Sequence, residues 1–257
     1  MAFLFGLFQL SYLIFWSITD GLLIIITGLL VKYHLTTHEA TTHRIFQHWA
    51  SKCQRVTERS FGKSIHVSCP DLSDPPALIT ANHQSWVDIF ILLSFLQPHL
   101  PVMLFVMKKE LKRIPIFGFA AQLMDLPLLS RDGNKQDIKK IRQCVRDFPH
   151  GIMVIFPEGT RFKPEKRGTE YTHLLPPKTT GIKLILQNAQ HKRWLDCHIF
   201  YQKTFDFWSF LQGQTAHTHF KAEFIDYSGE NDIIKQWTKK DQWMEKQYGS
   251  YKLSRAP

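Results

Sequence analysis

The stretch Asn82-His83-Gln84-Ser85-Trp86-Val87-Asp88 sets an imidazole and a carboxylate five residues apart, just after the apolar run 77–81. An alcohol is a poor nucleophile until a base removes its proton, and a histidine steered by a carboxylate is suited to that task. The carboxylate accepts a hydrogen bond from one ring nitrogen, fixes the tautomer and leaves the other nitrogen basic. Residues five apart do not share a helix face. The two groups therefore meet only if His83 lies in a loop and Asp88 in the first turn of a following helix, where negative charge is favoured. The pattern Val87, Ile89-Phe90, Leu92-Leu93, Leu96 fits such a helix. There is no Gly-x-Ser-x-Gly elbow to supply a hydrolase serine, so the pair is better placed to activate a substrate hydroxyl.

A second motif, Phe156-Pro157-Glu158-Gly159-Thr160-Arg161, also follows an apolar run of buried-strand type, 152–155. Pro157 and Gly159 break regular structure there. Glu158, Thr160 and Arg161 are thus displayed on a loop at a strand end, a common place for sites in α/β folds. Arg161 offers a planar, permanently charged fork for a phosphate. Glu158 can accept a hydrogen bond from a polyol hydroxyl.

The elements that must position these loops alternate. Strand candidates are 104–107, 126–129, 153–156, 197–201 and 219–224, with helices over 134–148 and 179–189. Alternation of this kind predicts an αβα sandwich with a mixed, largely buried central sheet. The connection 162–175 is polar and basic and reads as a flap or a surface loop; 231–248 reads as a packing helix. The stretch 39–61 reads as an amphipathic surface helix or an ordinary scaffold helix.

Together the motifs resemble the lysophosphatidate (1-acyl-glycerol-3-phosphate) acyltransferase family, the PlsC-like glycerophospholipid acyltransferases. Asn-His-x4-Asp and Phe-Pro-Glu-Gly-Thr-Arg stand in that family's order, with a third block between them running from Lys108 to Gly118 and closing near Ser130-Arg131. The resemblance covers roughly residues 75 to 205. Met124-Asp125-Leu126-Pro127 and the stretch from Leu174 to Gly181 look like the bacterial YihG-like branch. The resemblance implies His83 as general base, Asp88 as its orienting partner, and Glu158 and Arg161 as holders of the acceptor. Lys108 and Arg131 would add positive charge at its phosphate, and Gly159 and Thr160 would shape the loop. The chain departs from the family at Asp125, where a glycine is usual, and at Ser130, often acidic. The stretch 197–201 also lacks a proline that the family's fourth block normally carries.

Lysine and arginine number 32 against 22 aspartate and glutamate, a formal charge of +10. Such an excess suggests an anionic partner, and without zinc-finger spacing or a helix-turn-helix signature a lipid or acidic acyl donor is favoured over nucleic acid. Cys53, Cys69, Cys144 and Cys197 form no Cys-x-x-Cys pair. His34, His38, His43 and His48 lack nearby cysteine and carry little carboxylate, so no metal site is expected. Residues 2–31 are almost wholly apolar, interrupted by Asp20, with no basic residue before them, which argues against a cleaved signal. This reads as a hydrophobic helical membrane anchor, either a span or a hairpin lying in one leaflet. Lys32, Arg44, Lys52, Arg55, Arg59 and Lys63 come directly after it, and such a basic flank keeps the remainder of the chain in the cytoplasm.

The expectation is therefore an anchor at 1–32, a basic connecting helix region at 33–64 and an acyltransferase domain at 65–257. It would act on the cytoplasmic face of a bacterial inner membrane. The donor would be acyl-CoA or acyl carrier protein as co-substrate, with no cofactor. The acceptor would be a lysophospholipid, 1-acyl-glycerol-3-phosphate first, with lysophosphatidylglycerol or a lysocardiolipin as alternatives. A non-catalytic basic membrane adaptor on the same scaffold is the reading from another class.

Overall fold

The computed structural model describes residues 1–32, 38–100, 102–124, 126–130 and 134–253. Its centre is a six-stranded sheet in the order β1-β8-β7-β2-β6-β3. β7 (Trp194–Tyr201), β2 (Leu78–Ala81), β6 (Gly151–Ile155) and β3 (Val102–Phe105) run parallel. β8 (Thr218–Ile225) is antiparallel to β7, and β1 (Ile65–Ser68) lies parallel to β8 at the edge. The sheet is mixed, as expected. Every residue of β2 and β7 is buried, because helices cover both faces.

Alternation along the strands feeds two cores. Ile79, Ala81, Leu195, Cys197 and Ile199 meet one helical layer: α2 (His38–Phe61), α3 (Val87–Phe95) and α7 (Phe207–Leu211). Leu78, Met153 and Trp194 meet the other: α5 (Lys135–Asp147) and α6 (Thr179–Asn188). α5 forms because Ile138, Ile141, Cys144 and Val145 recur at helical spacing on one face. Asn134 caps its start by accepting the Asp137 amide. The last helix, α8 (Glu230–Leu253), lays Trp237 and Met244 on Phe200 and Leu174.

Two strand expectations change. β3 ends at Phe105, and the Val106 amide still bonds to Val154 before the chain leaves the sheet. Met107–Lys108 (β4) and Leu128–Leu129 (β5) then form a separate two-stranded ribbon. The sequence pattern predicts no strand at β1, which is mostly exposed. Such an edge strand leaves little apolar alternation to read.

α1 (Ala2–Lys32) runs unbroken through Asp20, so no hairpin forms within it. One face is docked along its length. Gly6 meets Trp208 and Gln212 at α7, Gly21 meets Ile116, and Gly28 meets Leu123 of α4 (Phe117–Leu123). Gln9 donates to Ser60 Oγ and the Leu211 carbonyl at 3.1 and 2.7 Å. Buried Asp20 is paired with His48 Nδ1 of α2 at 3.0 Å. The other face exposes Phe3, Phe8, Phe15, Leu22 and Ile26.

A charged cluster ties α8 to β7. Lys240 and Asp196, both fully buried, pair at 2.8 Å. Asp196 also accepts from Gln236 and Thr80, and His198 lies 3.2 Å away. Burial pushes the Asp196 carboxyl up, but the Lys240 ammonium and His198 outweigh it and hold the group at about 2. Removing one member strands the other charge in the core. Lys240→Met should therefore lower stability by about 3–5 kcal/mol in denaturant unfolding, whereas a surface change such as Lys239→Met should stay within about 0.5 kcal/mol.

Candidate active site

The parallel order puts the C-terminal ends of β2, β6 and β3 at one edge of the sheet. His83 follows β2, the Glu158–Arg161 loop follows β6, and Lys108 follows β3. Adjacent strands thus deliver both motifs to one place, where sites form in open α/β sheets.

Asn82 makes the turn. Fully buried, it replaces the next rung of the β2–β7 ladder: its amide donates to the Ile199 carbonyl and its oxygen accepts the Ile199 amide, both at 2.8 Å. The backbone is thereby released from the sheet at His83. Asp88 lies in the first turn of α3 and is fully buried. Its Oδ2 lies 2.8 Å from His83 Nδ1 and accepts the Gln84 and Ser85 amides at 2.7 and 2.8 Å. Its Oδ1 accepts the Tyr201 hydroxyl at 2.6 Å. Gln84, Ser85 and Tyr201 all donate to Asp88. An ionised carboxylate accepts only, so Nδ1 carries the ring proton and Nε2 the lone pair. Burial, together with the Asp88 charge, raises the Tyr201 phenol well above its ordinary value, so it stays a donor. Phe156 stacks on the imidazole, with ring centres 4.2 Å apart.

The second loop grips the first by its backbone. The His83 amide donates to Glu158 Oε1 at 2.8 Å, and the His83 carbonyl accepts the Phe162 amide at 2.6 Å. Glu158 Oε2 accepts the Leu175 amide at 3.1 Å. At 4 % exposure, with each oxygen already occupied by a backbone amide, Glu158 is poorly placed to take a polyol hydroxyl. It is a brace between three chain segments. Gly159 turns the loop with φ +70, its amide bonded to the Phe156 carbonyl at 2.9 Å. Thr160 and Arg161 are exposed. The Arg161 guanidinium lies over the Trp86 ring, 5.1 Å from its centre, which holds it beside the His83 loop.

Lys108 is exposed in β4, 3.9 Å from Glu110. Arg131 and Asp125 lie outside the described residues. Three contributors escaped sequence reasoning. Tyr201 is more than a hundred residues from Asp88 and carries no local signal. Lys178 donates its amide to the Pro157 carbonyl, and its ammonium lies within 3.4 Å of where a Gly159 side chain would begin. The third is α8: Asp241 accepts the Thr172 and His173 amides at 2.9 and 2.7 Å, and the Trp237 indole donates to the Leu175 carbonyl at 2.9 Å. The stretch read as a flap or surface loop is therefore fastened over its second half.

Burial pushes the Glu158 carboxyl up to about 8, against the pull of the His83 and Leu175 amides and the Lys240 charge. Its folded value exceeds its ordinary value of 4.5, so the folded chain keeps a proton that the unfolded chain releases. Glu158 should therefore contribute a fall in stability as pH rises from about 4.5 to about 8, and no slope above that. Denaturant unfolding across that range should show a flatter profile for Glu158→Gln. Equal slopes in the two proteins would contradict the assignment.

The chain matches the acyltransferase family model over residues 62–216. It is 34 % identical over 116 residues to a 1-acyl-sn-glycerol-3-phosphate acyltransferase of Helicobacter pylori, covering 45 % of each chain. It is 36 % identical over 86 residues to a lyso-ornithine lipid O-acyltransferase of Rhizobium meliloti, covering 33 % of this chain and 28 % of that one. The matches span from about a quarter to a half of these relatives' lengths. The crystal structure of the 1-acyl-sn-glycerophosphate acyltransferase PlsC from Thermotoga maritima superposes with a TM-score of 0.57, covering 98 % of both chains at 17 % identity, which supports the shared fold. With more than half of its residues matched by the family model, this chain belongs to the acyltransferase family.

Proposed function

We propose that this protein transfers a fatty acyl group from a thioester, acyl-CoA or acyl carrier protein, to the free hydroxyl of a lysophospholipid, with 1-acyl-glycerol-3-phosphate as first acceptor and phosphatidic acid as product. The observation that carries this reading is the His83–Asp88 pair, braced through Glu158 to a loop that ends in exposed Arg161. His83 Nε2 takes the hydroxyl proton as the oxygen attacks the thioester carbonyl. The tetrahedral intermediate collapses with cleavage of the C–S bond, and the imidazolium returns the proton to the departing thiolate. Asp88 stabilises the imidazolium and, with Tyr201, keeps the ring oriented. Arg161 holds the acceptor's phosphate, with Lys108 and Arg131 adding positive charge. Gly159 and Thr160 shape the loop. Glu158 acts as a positioning residue. The scheme calls for no cofactor.

The membrane is the proposed third partner. α1 is long and apolar enough to cross a bilayer, yet about a third of its apolar 18-residue window is buried within the protein. A helix docked from Gly6 to Gly28 on the globular core suits a position in the plane of one leaflet, with its outer apolar face in lipid. Arg59 lies about 6 Å from the Phe8 and Tyr12 rings and Lys52 lies 4.4 Å from Trp16, so cations border that helix. The cationic flank favours the cytoplasmic face of an inner membrane.

His83→Ala should lower kcat by about 10²–10⁴ without loss of fold; near-normal transfer by a folded variant rejects the base. Arg161→Ala should raise KM for a phosphate-bearing acceptor far more than for the acyl donor. An acceptor panel of 1-acyl-glycerol-3-phosphate, lysophosphatidylglycerol, a lysocardiolipin and lyso-ornithine lipid ranks the candidates. No turnover with any donor and acceptor tried would favour the adaptor reading.

A further inference from the structure

Between β4 and α4 lies a surface that the proposed chemistry leaves unused. The 3₁₀ turn Lys109–Arg113 exposes Lys109, Lys112 and Arg113, and its acidic residue, Glu110, is paired with Lys108. Ile114 and Phe119, next along the chain, are 46 % and 45 % exposed. A basic rim thus adjoins two large apolar side chains.

These side chains continue the outer face of α1. An apolar cavity of about 240 Å³ lies among α1, α2 and this stretch, and Ile18 and Ile114 both line it. Ile18 is itself 44 % exposed, so the open surfaces of the two elements adjoin. Phe119 shares a helix face with Leu123, four residues on, and Leu123 packs at Gly28 of α1. Ile116 adopts a positive φ of 61, rare for a β-branched residue, and its side chain fills the space above Gly21. The stretch is fastened to α1 at Gly21 and Gly28, with its exposed apolar side chains alongside.

We propose that residues 109–119 form a second lipid-contact element beside α1. Ile114 and Phe119 enter the boundary between headgroups and acyl chains, while Lys109, Lys112 and Arg113 rest among anionic headgroup phosphates. The inference deepens the membrane role proposed for α1 and rests on it. The occupant is a lipid surface because the patch is continuous with an apolar helix face and edged by cations, the pattern of interfacial elements. A single in-plane helix leaves the protein free to roll about the helix axis; a contact off that axis stops the roll. Lys108, adjoining the basic turn, is then held near headgroup depth, where an acceptor's phosphate resides.

The test is flotation of the full chain with vesicles of phosphatidylethanolamine and phosphatidylglycerol, and with vesicles of phosphatidylcholine alone. Lys109→Gln/Lys112→Gln/Arg113→Gln should weaken binding to the anionic vesicles by about fivefold per charge at low salt and leave phosphatidylcholine binding unchanged. Ile114→Ser/Phe119→Ser should weaken binding to both. Thermal unfolding of each variant checks the fold, and Lys112→Gln/Arg113→Gln replaces the triple variant if that one unfolds. Wild-type binding matched within twofold by the folded variants overturns the second contact and leaves the role of α1 standing. No wild-type binding to either vesicle rejects the membrane reading and this inference with it.

Discussion

Everything at the catalytic edge depends on how the chain is held as it leaves β2. His83 has its ring fixed by Asp88 and Phe156, its amide by Glu158 and its carbonyl by Phe162. Two of these four contacts are backbone bonds to the loop after β6, and Phe156 leads into that loop. The imidazole is therefore positioned by the neighbouring strand as much as by its own. A base must be held within a fraction of an ångström of its productive place to be effective, and coupling two parallel strand ends is a stiff way to do that. Glu158 is the central member of that coupling because one carboxyl group bridges the His83 and Leu175 amides.

The brace extends away from the site. Leu175 is fixed by Trp237, and the preceding residues by Asp241, so α8 supports that segment too. Beneath it lies the Lys240–Asp196 pair, a buried interaction that specifies one seating of α8 on β7. In the proposed scheme the acceptor meets its cations on the outer side of this frame, with Arg161 held over Trp86. The frame is held by buried polar and charged groups, while Arg161 at the rim is exposed.

Much of this was legible from residue order. The apolar runs at 77–81 and 152–155 form β2 and β6, neighbours inside the sheet, and the five-residue offset of His83 and Asp88 required the loop-then-helix geometry that the structure has. What could not be read depends on contacts distant in sequence. Tyr201 reaches Asp88 because β7 pairs with β2, and Glu158 is buried and bonded to the amides of His83 and Leu175, which lie far from it in sequence. Both are consequences of packing, and neither leaves a local pattern. Asp20 shows the reverse: a charge in an apolar run suggested a break, but His48 on a separate helix satisfies it and α1 stays continuous.

The most direct measurement of the central claim is the tautomer of His83, read from the ¹⁵N shifts and ring couplings of histidine-labelled protein at mildly alkaline pH, with His83→Gln to assign the signal. The expected result is a proton on Nδ1 and an unprotonated Nε2. A ring carrying its proton on Nε2 would mean that Asp88 does not orient a base toward substrate, and the proposed chemistry would fail with it.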